Sequence, residues 1–195
     1  MTGRGEPVSS GRRVPPGQRL VSRLPVLHYG RIPTFDPDTW DLRLFGLVEE
    51  EVVFGYAAFT ALPKRRVVVD IHCVTGWSML DTVWEGVPFC TLLEHVQPAS
   101  GADYVVAHCD GGYTTNLPLE VLLDDGVLLA YRYDDAPLPP HYGHPLRLLV
   151  PHRYLWKSAK WIRGLEFAAE DRPGFWETRG YHNSGDPWKE ERYRG

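Results

Sequence analysis

A chain of 195 residues, 43% hydrophobic and 24% charged, fits one globular domain with or without extended arms and is long enough for a substantial core. A net charge of −4 leaves no surplus of cations for phosphate neutralisation, which argues against a nucleic-acid binder, and no apolar run reaches the length that crosses a bilayer. Three cysteines without paired spacing argue against a disulfide framework and make the cytoplasm the expected compartment.

Residues 1–19 are rich in Gly, Pro, Ser and Arg, and so are expected to form a disordered tail ahead of a domain spanning 20–195. The twin arginines Arg12-Arg13 are followed by no hydrophobic segment, so no export signal is expected. Leu20 to Gly30 reads as an arm laid on the core. Trp40 to Val48 alternates as a strand does and stops at Gly46. Tyr56 to Leu62 suits a short helix closed by Pro63, and Val67 to Ile71 a mostly buried strand. Pro88 to Val96 suits a helix with proline at its start, where no amide donor is needed. Tyr104 to Cys109 is a strand, Asp110-Gly111-Gly112-Tyr113 a turn, and Leu119 to Leu123 a short helix. Strands are expected again at Val127 to Tyr133, Leu146 to Val150 and Trp161 to Phe167, before a loop-like, aromatic stretch from Pro173 onward. Short strands and short helices in no regular alternation point to an α+β or mainly-β domain.

Three constellations carry chemistry. Cys73 ends the apolar run Val67-Val68-Val69-Asp70-Ile71 and opens a Thr-Gly-containing loop, where a rigid scaffold presents a functional group. A lone cysteine is most often a small buried hydrophobe, which suits Cys90 and Cys109. No second Cys or His stands at zinc spacing from Cys73, so one protein thiolate completed by ligands from a cofactor fits better than a protein-only zinc site. Arg147 with Lys157, Ser158 and Lys160 has the composition of a phosphate clamp, set against the plainer reading of a solvated charged surface. The tail holds Tyr181 and His182, which suit hydrogen bonding or proton transfer to a reacting group as well as plain packing. His28-Tyr29 carries little signal alone.

In order and spacing, several segments resemble the molybdopterin-binding oxidoreductases of the sulfite oxidase family, in particular the small haem-free bacterial branch related to the catalytic subunit of methionine sulfoxide reductase. They are Pro25-Val26-Leu27-His28-Tyr29-Gly30, Asp70-Ile71-His72-Cys73-Val74-Thr75-Gly76-Trp77-Ser78, Asp110 to Leu117, Lys157-Ser158-Ala159-Lys160-Trp161 and Gly180-Tyr181-His182-Asn183. The resemblance implies a β-rich α+β molybdopterin-binding fold with short helices. It implies one molybdenum-molybdopterin per chain, with Cys73 ligating the metal and Tyr181 beside it. By the same resemblance His28, Cys109, Tyr142, Arg147, Ser158 and Lys160 hold the pterin and its phosphate. The implied reaction is two-electron oxygen-atom transfer, in either direction, on an S- or N-oxide or a sulfite-like small molecule. Animal and plant sulfite oxidases carry arginines where this chain has Val26-Leu27 and Ser78, which turns the expectation away from free sulfite. Tyr142 stands where relatives often have His or Asn. With neither a cytochrome module nor a dimerisation domain recognisable, a monomer served by a separate electron-transfer partner is expected. Two other readings are a degenerate, non-catalytic molybdopterin-binding module and a cysteine hydrolase pairing Cys73 with a histidine.

Overall fold

The computed structural model describes residues 13–194. In chain order its strands are β1 (Arg19–Leu20), β2 (Asp41–Gly46), β3 (Val52–Gly55), β4 (Arg65–Cys73), β5 (Trp77–Pro88), β6 (Tyr104–Cys109), β7 (Thr114–Pro118), β8 (Leu128–Tyr133), β9 (Ala136–Pro137), β10 (Arg147–Leu149) and β11 (Ile162–Ala168). Short helices α1 (Tyr56–Thr60), α2 (Phe89–Val96) and α3 (Leu119–Leu122) lie between them. One sheet runs β1-β5-β8-β10, with β4 on β5 and β9 on β8; the other runs β3-β2-β11-β6-β7. The class is α+β and β-rich, as the element pattern implies.

The β4–β5 hairpin positions the site. Its β-branched run Val67-Val68-Val69 suits a pleated strand, but the expected burial of Val67 to Ile71 does not hold: Val68 is exposed, and the strand is buried only from Ile71 to Cys73. The turn closes where the Gly76 amide donates to the Cys73 carbonyl at 3.0 Å, with Gly76 at φ +90°. Cys73 pairs with Trp77 across the ladder, so the cysteine sits at the hairpin tip. β5 is a strand that no periodicity in the sequence announces, although it pairs with β1, β4 and β8. Its Ser78, Asp81, Thr82, Glu85 and Gly86 break the hydrophobic alternation. Gly86 is needed there: a Cβ would lie 2.2 Å from the Leu129 carbonyl oxygen on β8.

The expected 1–19 tail needs correction over its second part. Arg13 bonds Asp70 and Asp81, each at 2.6 Å, and the Arg19 amide donates to Gly76 O at 3.0 Å, extending the sheet in parallel. Backbone pairing and a doubly bonded guanidinium hold residues 13–19 to the body despite their composition. Residues 1–12 lie outside the described residues. α2 buries Phe89, Leu92 and Val96, a spacing that puts one face on the core, with Pro88 as its N-cap.

Two buried clusters form. One joins Leu42, Leu44 and Phe59 to Phe89, Leu165 and Phe167, with Cys109 inside it. The other contains Ile71, Cys73, Trp77, Trp84, Tyr154 and Trp156, and backs the cleft described next.

Candidate active site

A cleft opens where the hairpin tip, the arm at residues 24–29 and the C-terminal aromatic stretch meet. Its main chamber, about 300 Å³, is lined by Cys73, Tyr142, Arg147, Lys160 and Tyr181 among others. A side chamber of about 100 Å³ reaches Tyr113, Ser158, Ala159 and Trp161. His28, Tyr29, Lys160, Trp156 and Trp176 line both.

Cys73 is 7% exposed, and its sulfur accepts a hydrogen bond from Thr75 Oγ1 at 3.1 Å. Burial pushes the thiol pKa up, while the Thr75 bonds and the charges of Arg192 and Lys160 oppose that shift. Strand alternation sends the adjacent His72 elsewhere: its Nδ1 lies 2.8 Å from Ser78 Oγ, and both residues are buried. No histidine hydrogen-bonds Cys73 among the described residues, so the hydrolase reading loses its base. Ser78 is fully buried and does not line the cleft.

Arg147 is 3% exposed and donates to the carbonyls of Tyr142 (3.1 Å) and Ser158 (2.8 Å), with its guanidinium over the Trp84 ring. Lys160 donates to the carbonyls of Leu27 (2.7 Å) and His141 (2.8 Å). Neither has a carboxylate within 4.0 Å among the described residues. Burial lowers the Arg147 pKa to about 10. Burial, then the nearby Arg147 charge, lowers that of Lys160 to about 7. Two desolvated cations without an anion are costly alone and define an anion-seeking site.

The third cation expected in this clamp is elsewhere. Lys157 points into the body, 2.6 Å from Glu177 Oε1 and bonded to Asn116 O. Ser158 is engaged locally, its Oγ accepting from the Val150 amide and its carbonyl from Arg147. It therefore orients the arginine, although it also edges the side chamber. Tyr142 ties the arm down through a 2.7 Å bond from its hydroxyl to Leu24 O. His28 is exposed at the cleft, edge-on to Trp161 at 5.7 Å. Cys109 does not reach the lining of either chamber: it lies in the core, and burial pushes its thiol pKa up. Cys90 is exposed, not buried as a lone thiol usually is.

Tyr181 lines the main chamber between Trp176 (stacked, 4.9 Å) and Trp156 (edge-on, 5.1 Å), and its hydroxyl has no protein partner among the described residues. Burial raises its pKa, and the Tyr193 and Cys73 sites raise it further. His182 turns into its own loop, Nδ1 accepting from the Ser184 and Gly185 amides. Sequence reasoning missed Trp77 and Arg192. Trp77 lines the cleft with a buried indole N–H that has no partner among the described residues. Arg192 holds the Val74 carbonyl at 2.6 Å from across the chain.

The family model for the oxidoreductase molybdopterin binding domain matches residues 29–176. The chain belongs to this family. It is 47% identical over 182 residues to the uncharacterized oxidoreductase YuiH of Bacillus subtilis, covering 93% of this chain and 92% of that one. It is 33% identical to a putative protein-methionine-sulfoxide reductase subunit, YedZ1, of Azospira oryzae, covering 80% of this chain and 60% of that one. It is 29% identical to the protein-methionine-sulfoxide reductase catalytic subunit MsrP of Burkholderia mallei, covering 76% and 49%. The chain thus spans only about half to three fifths of the two methionine-sulfoxide reductase relatives. The sulfane dehydrogenase SoxCD from Paracoccus pantotrophus shares the fold, with a TM-score of 0.65 at 21% identity over 72% of this chain and 41% of that one.

The protein is therefore an oxidoreductase of sulfite oxidase-like fold whose cofactor is molybdopterin-bound molybdenum. The residues present fit that group. Arg147 and Lys160 offer uncompensated charge to an anionic phosphate, Trp77 offers an unused N–H, and Cys73 offers a sulfur ligand.

Proposed function

We propose that the enzyme reduces a neutral S-oxide: the S–O bond breaks, two electrons and two protons enter, and a thioether and water leave. The observation that carries this reading is the chemistry of the cleft wall. Apart from Arg147, Lys160, His28, Thr75 and Cys73, the main chamber is lined by aromatic and aliphatic groups such as Leu24, Pro25, Leu27, Tyr29, Leu155 and Trp176. With the two cations turned to the cofactor phosphate, the wall suits a thioether-like group and offers little to a sulfite anion.

Bound molybdopterin-molybdenum supplies two-electron oxygen-transfer chemistry. The chain supplies the rest. Cys73 is held by its turn as a metal ligand, and Arg147 and Lys160 hold the phosphate. Tyr181, its raised pKa keeping it protonated, donates a hydrogen bond to the substrate oxygen from its otherwise unpartnered hydroxyl. The aromatic rings around it exclude water. Electrons arrive from a separate partner protein. A cytoplasmic monomer belongs to the same reading, and the free, exposed thiol of Cys90 suits a reducing compartment. A degenerate binding module is less favoured, because the unpartnered Tyr181 hydroxyl has no use in it.

Protein purified from a host that makes molybdopterin is expected to hold about one molybdenum per chain, and Cys73→Ser protein to lose the metal–thiolate bond and activity. Dimethyl sulfoxide and methionine sulfoxide, assayed with a reduced viologen dye, are run beside sulfite with a dye acceptor. Turnover of the S-oxides supports the proposal. Oxidation of sulfite without S-oxide reduction overturns it.

A further inference from the structure

Arg192 touches both walls of the cleft from behind. Its Nη1 donates to the carbonyl of Val74, next to Cys73, at 2.6 Å, and its Nη2 lies 3.4 Å from the carbonyls of Pro16 and Gly17. The segment fastened in this way carries Gln18, whose Nε2 donates to the Cys73 carbonyl at 3.1 Å. One guanidinium therefore holds the cysteine turn directly, and through residues 16–18 it holds the turn a second time.

The main chain around the same residue organises the opposite wall. The Arg192 carbonyl accepts from the His182 amide at 3.2 Å, the Arg194 amide donates to Gly180 O at 2.9 Å, and Tyr181 pairs with Tyr193 as an antiparallel bridge. The Tyr181 and Tyr193 rings meet edge-on at 5.3 Å. Tyr181 is thus pinned by backbone bonds on either side of it, made by the residue whose side chain pins Cys73 and by its near neighbour.

The guanidinium is placed for a lasting role. Its side chain is 18% exposed, it rests over the Tyr154 ring at 5.1 Å, and its nearest carboxylate, the half-exposed Glu190, is 4.0 Å away. Its charge is left for the turn carbonyls and for the cysteine. Lysine keeps that charge but concentrates its donors on one nitrogen, so it cannot reach Val74 and residues 16–17 from two nitrogens as the guanidinium does.

We propose that Arg192 is a positioning residue that fixes Cys73 and Tyr181 relative to each other, acting through the Val74 carbonyl on one side and the 180–182 backbone on the other. It lines neither chamber, so it acts only through these two residues. The inference rests on Cys73 and Tyr181 being the working pair of the proposed function.

The test uses cofactor-loaded full-length protein, as wild type, Arg192→Gln and Arg192→Lys. Hydrogen exchange by mass spectrometry is read over residues 73–78 and 180–183, with β6 as internal control. Loss of a charged hydrogen bond predicts about ten-fold faster exchange in both segments for Arg192→Gln, an intermediate change for Arg192→Lys, and none in β6. The electron paramagnetic resonance spectrum of the partly reduced metal shifts in Arg192→Gln and returns toward wild type in Arg192→Lys. With dimethyl sulfoxide and a viologen dye, kcat falls while KM holds. If Arg192→Gln does not fold, the Arg192→Lys exchange pattern decides alone. Faster exchange confined to the C-terminal segment, or an unchanged 73–78 segment with an unchanged spectrum, overturns the proposal. Failure to reduce any S-oxide overturns the proposed function, while the exchange pattern still decides whether Arg192 couples the two segments.

Discussion

Lys157 and Lys160 are three residues apart, are of one residue type and serve different parts of the molecule, and a paired substitution to methionine separates them. Lys157 is 1% exposed and sits 2.6 Å from Glu177 Oε1, itself fully buried. That oxygen also accepts from Trp156 Nε1 at 2.8 Å and Thr115 Oγ1 at 3.1 Å, while Oε2 has no partner. Removing the ammonium leaves a buried carboxylate with two neutral donors, a loss of about 3–5 kcal/mol. For a chain of this size that lowers Tm by roughly 10 °C, out of a typical total stability of about 5–15 kcal/mol. Lys160 has no carboxylate partner, and burial opposes its charge, so Lys160→Met leaves the metal-free melting temperature unchanged or slightly higher. It removes a charge-assisted contact to the phosphate, which weakens cofactor retention by about 10- to 100-fold. The assays are thermal melts of metal-free protein and molybdenum content after dialysis. A Lys157→Met protein that melts like wild type but cannot hold molybdenum refutes the assignment of that lysine to the body. The double variant Lys157→Met/Glu177→Gln is expected to recover part of the single-variant loss.

Tyr181→Phe leaves molybdenum content and Tm unchanged and lowers kcat for an S-oxide by about 100-fold, which steady-state kinetics on loaded protein will read. Gly185→Ala places a methyl 2.8 Å from Trp156 Cζ2 at a residue with φ +73°, so it is expected to cost about 1–3 kcal/mol and to loosen the cofactor by shifting a ring that lines both chambers; melts and metal content check both effects. Stability of the metal-free protein rises with pH in two windows. His72, His144 and His152 have pKa values lowered by burial, so the unfolded chain binds the extra protons and stability falls as pH drops below their ordinary 6.5. Lys160, at about 7 folded against 10.5 unfolded, gives the same sign from pH 7 upward, and denaturant melts across pH 7 to about 8.5, below the range where the buried thiols of Cys73 and Cys109 act in the opposite sense, should show the rise, flattened once the cofactor is loaded.

Local pattern makes most of the fold legible. The β6 limits, the α2 span, the turn at Asp110–Tyr113 and the strand ending at Cys73 all follow from apolar runs and from Gly and Pro punctuation. β5 is illegible because a central strand of a mixed sheet is stabilised by its neighbours on both sides, and so tolerates Ser, Asp, Glu and Gly that no periodicity signals. The arm at residues 13–19 escapes the sequence for a related reason: Arg13 finds its carboxylates 57 and 68 residues away.

The sequence by itself determined the family, the cysteine at a strand end, and the residue types of a phosphate clamp, since these are local spacings that chemistry constrains. Only the tertiary structure decided which members of each set serve the cleft. Side-chain direction separated Lys160 from Lys157 and Cys73 from Cys109 and His72. Long-range bonds brought Tyr181 and Arg192 to the hairpin tip that carries Cys73 and Trp77. A one-dimensional pattern records what a residue can do; which way it points, and what it meets, depends on contacts made from more than a hundred residues away, as between Arg192 and Val74.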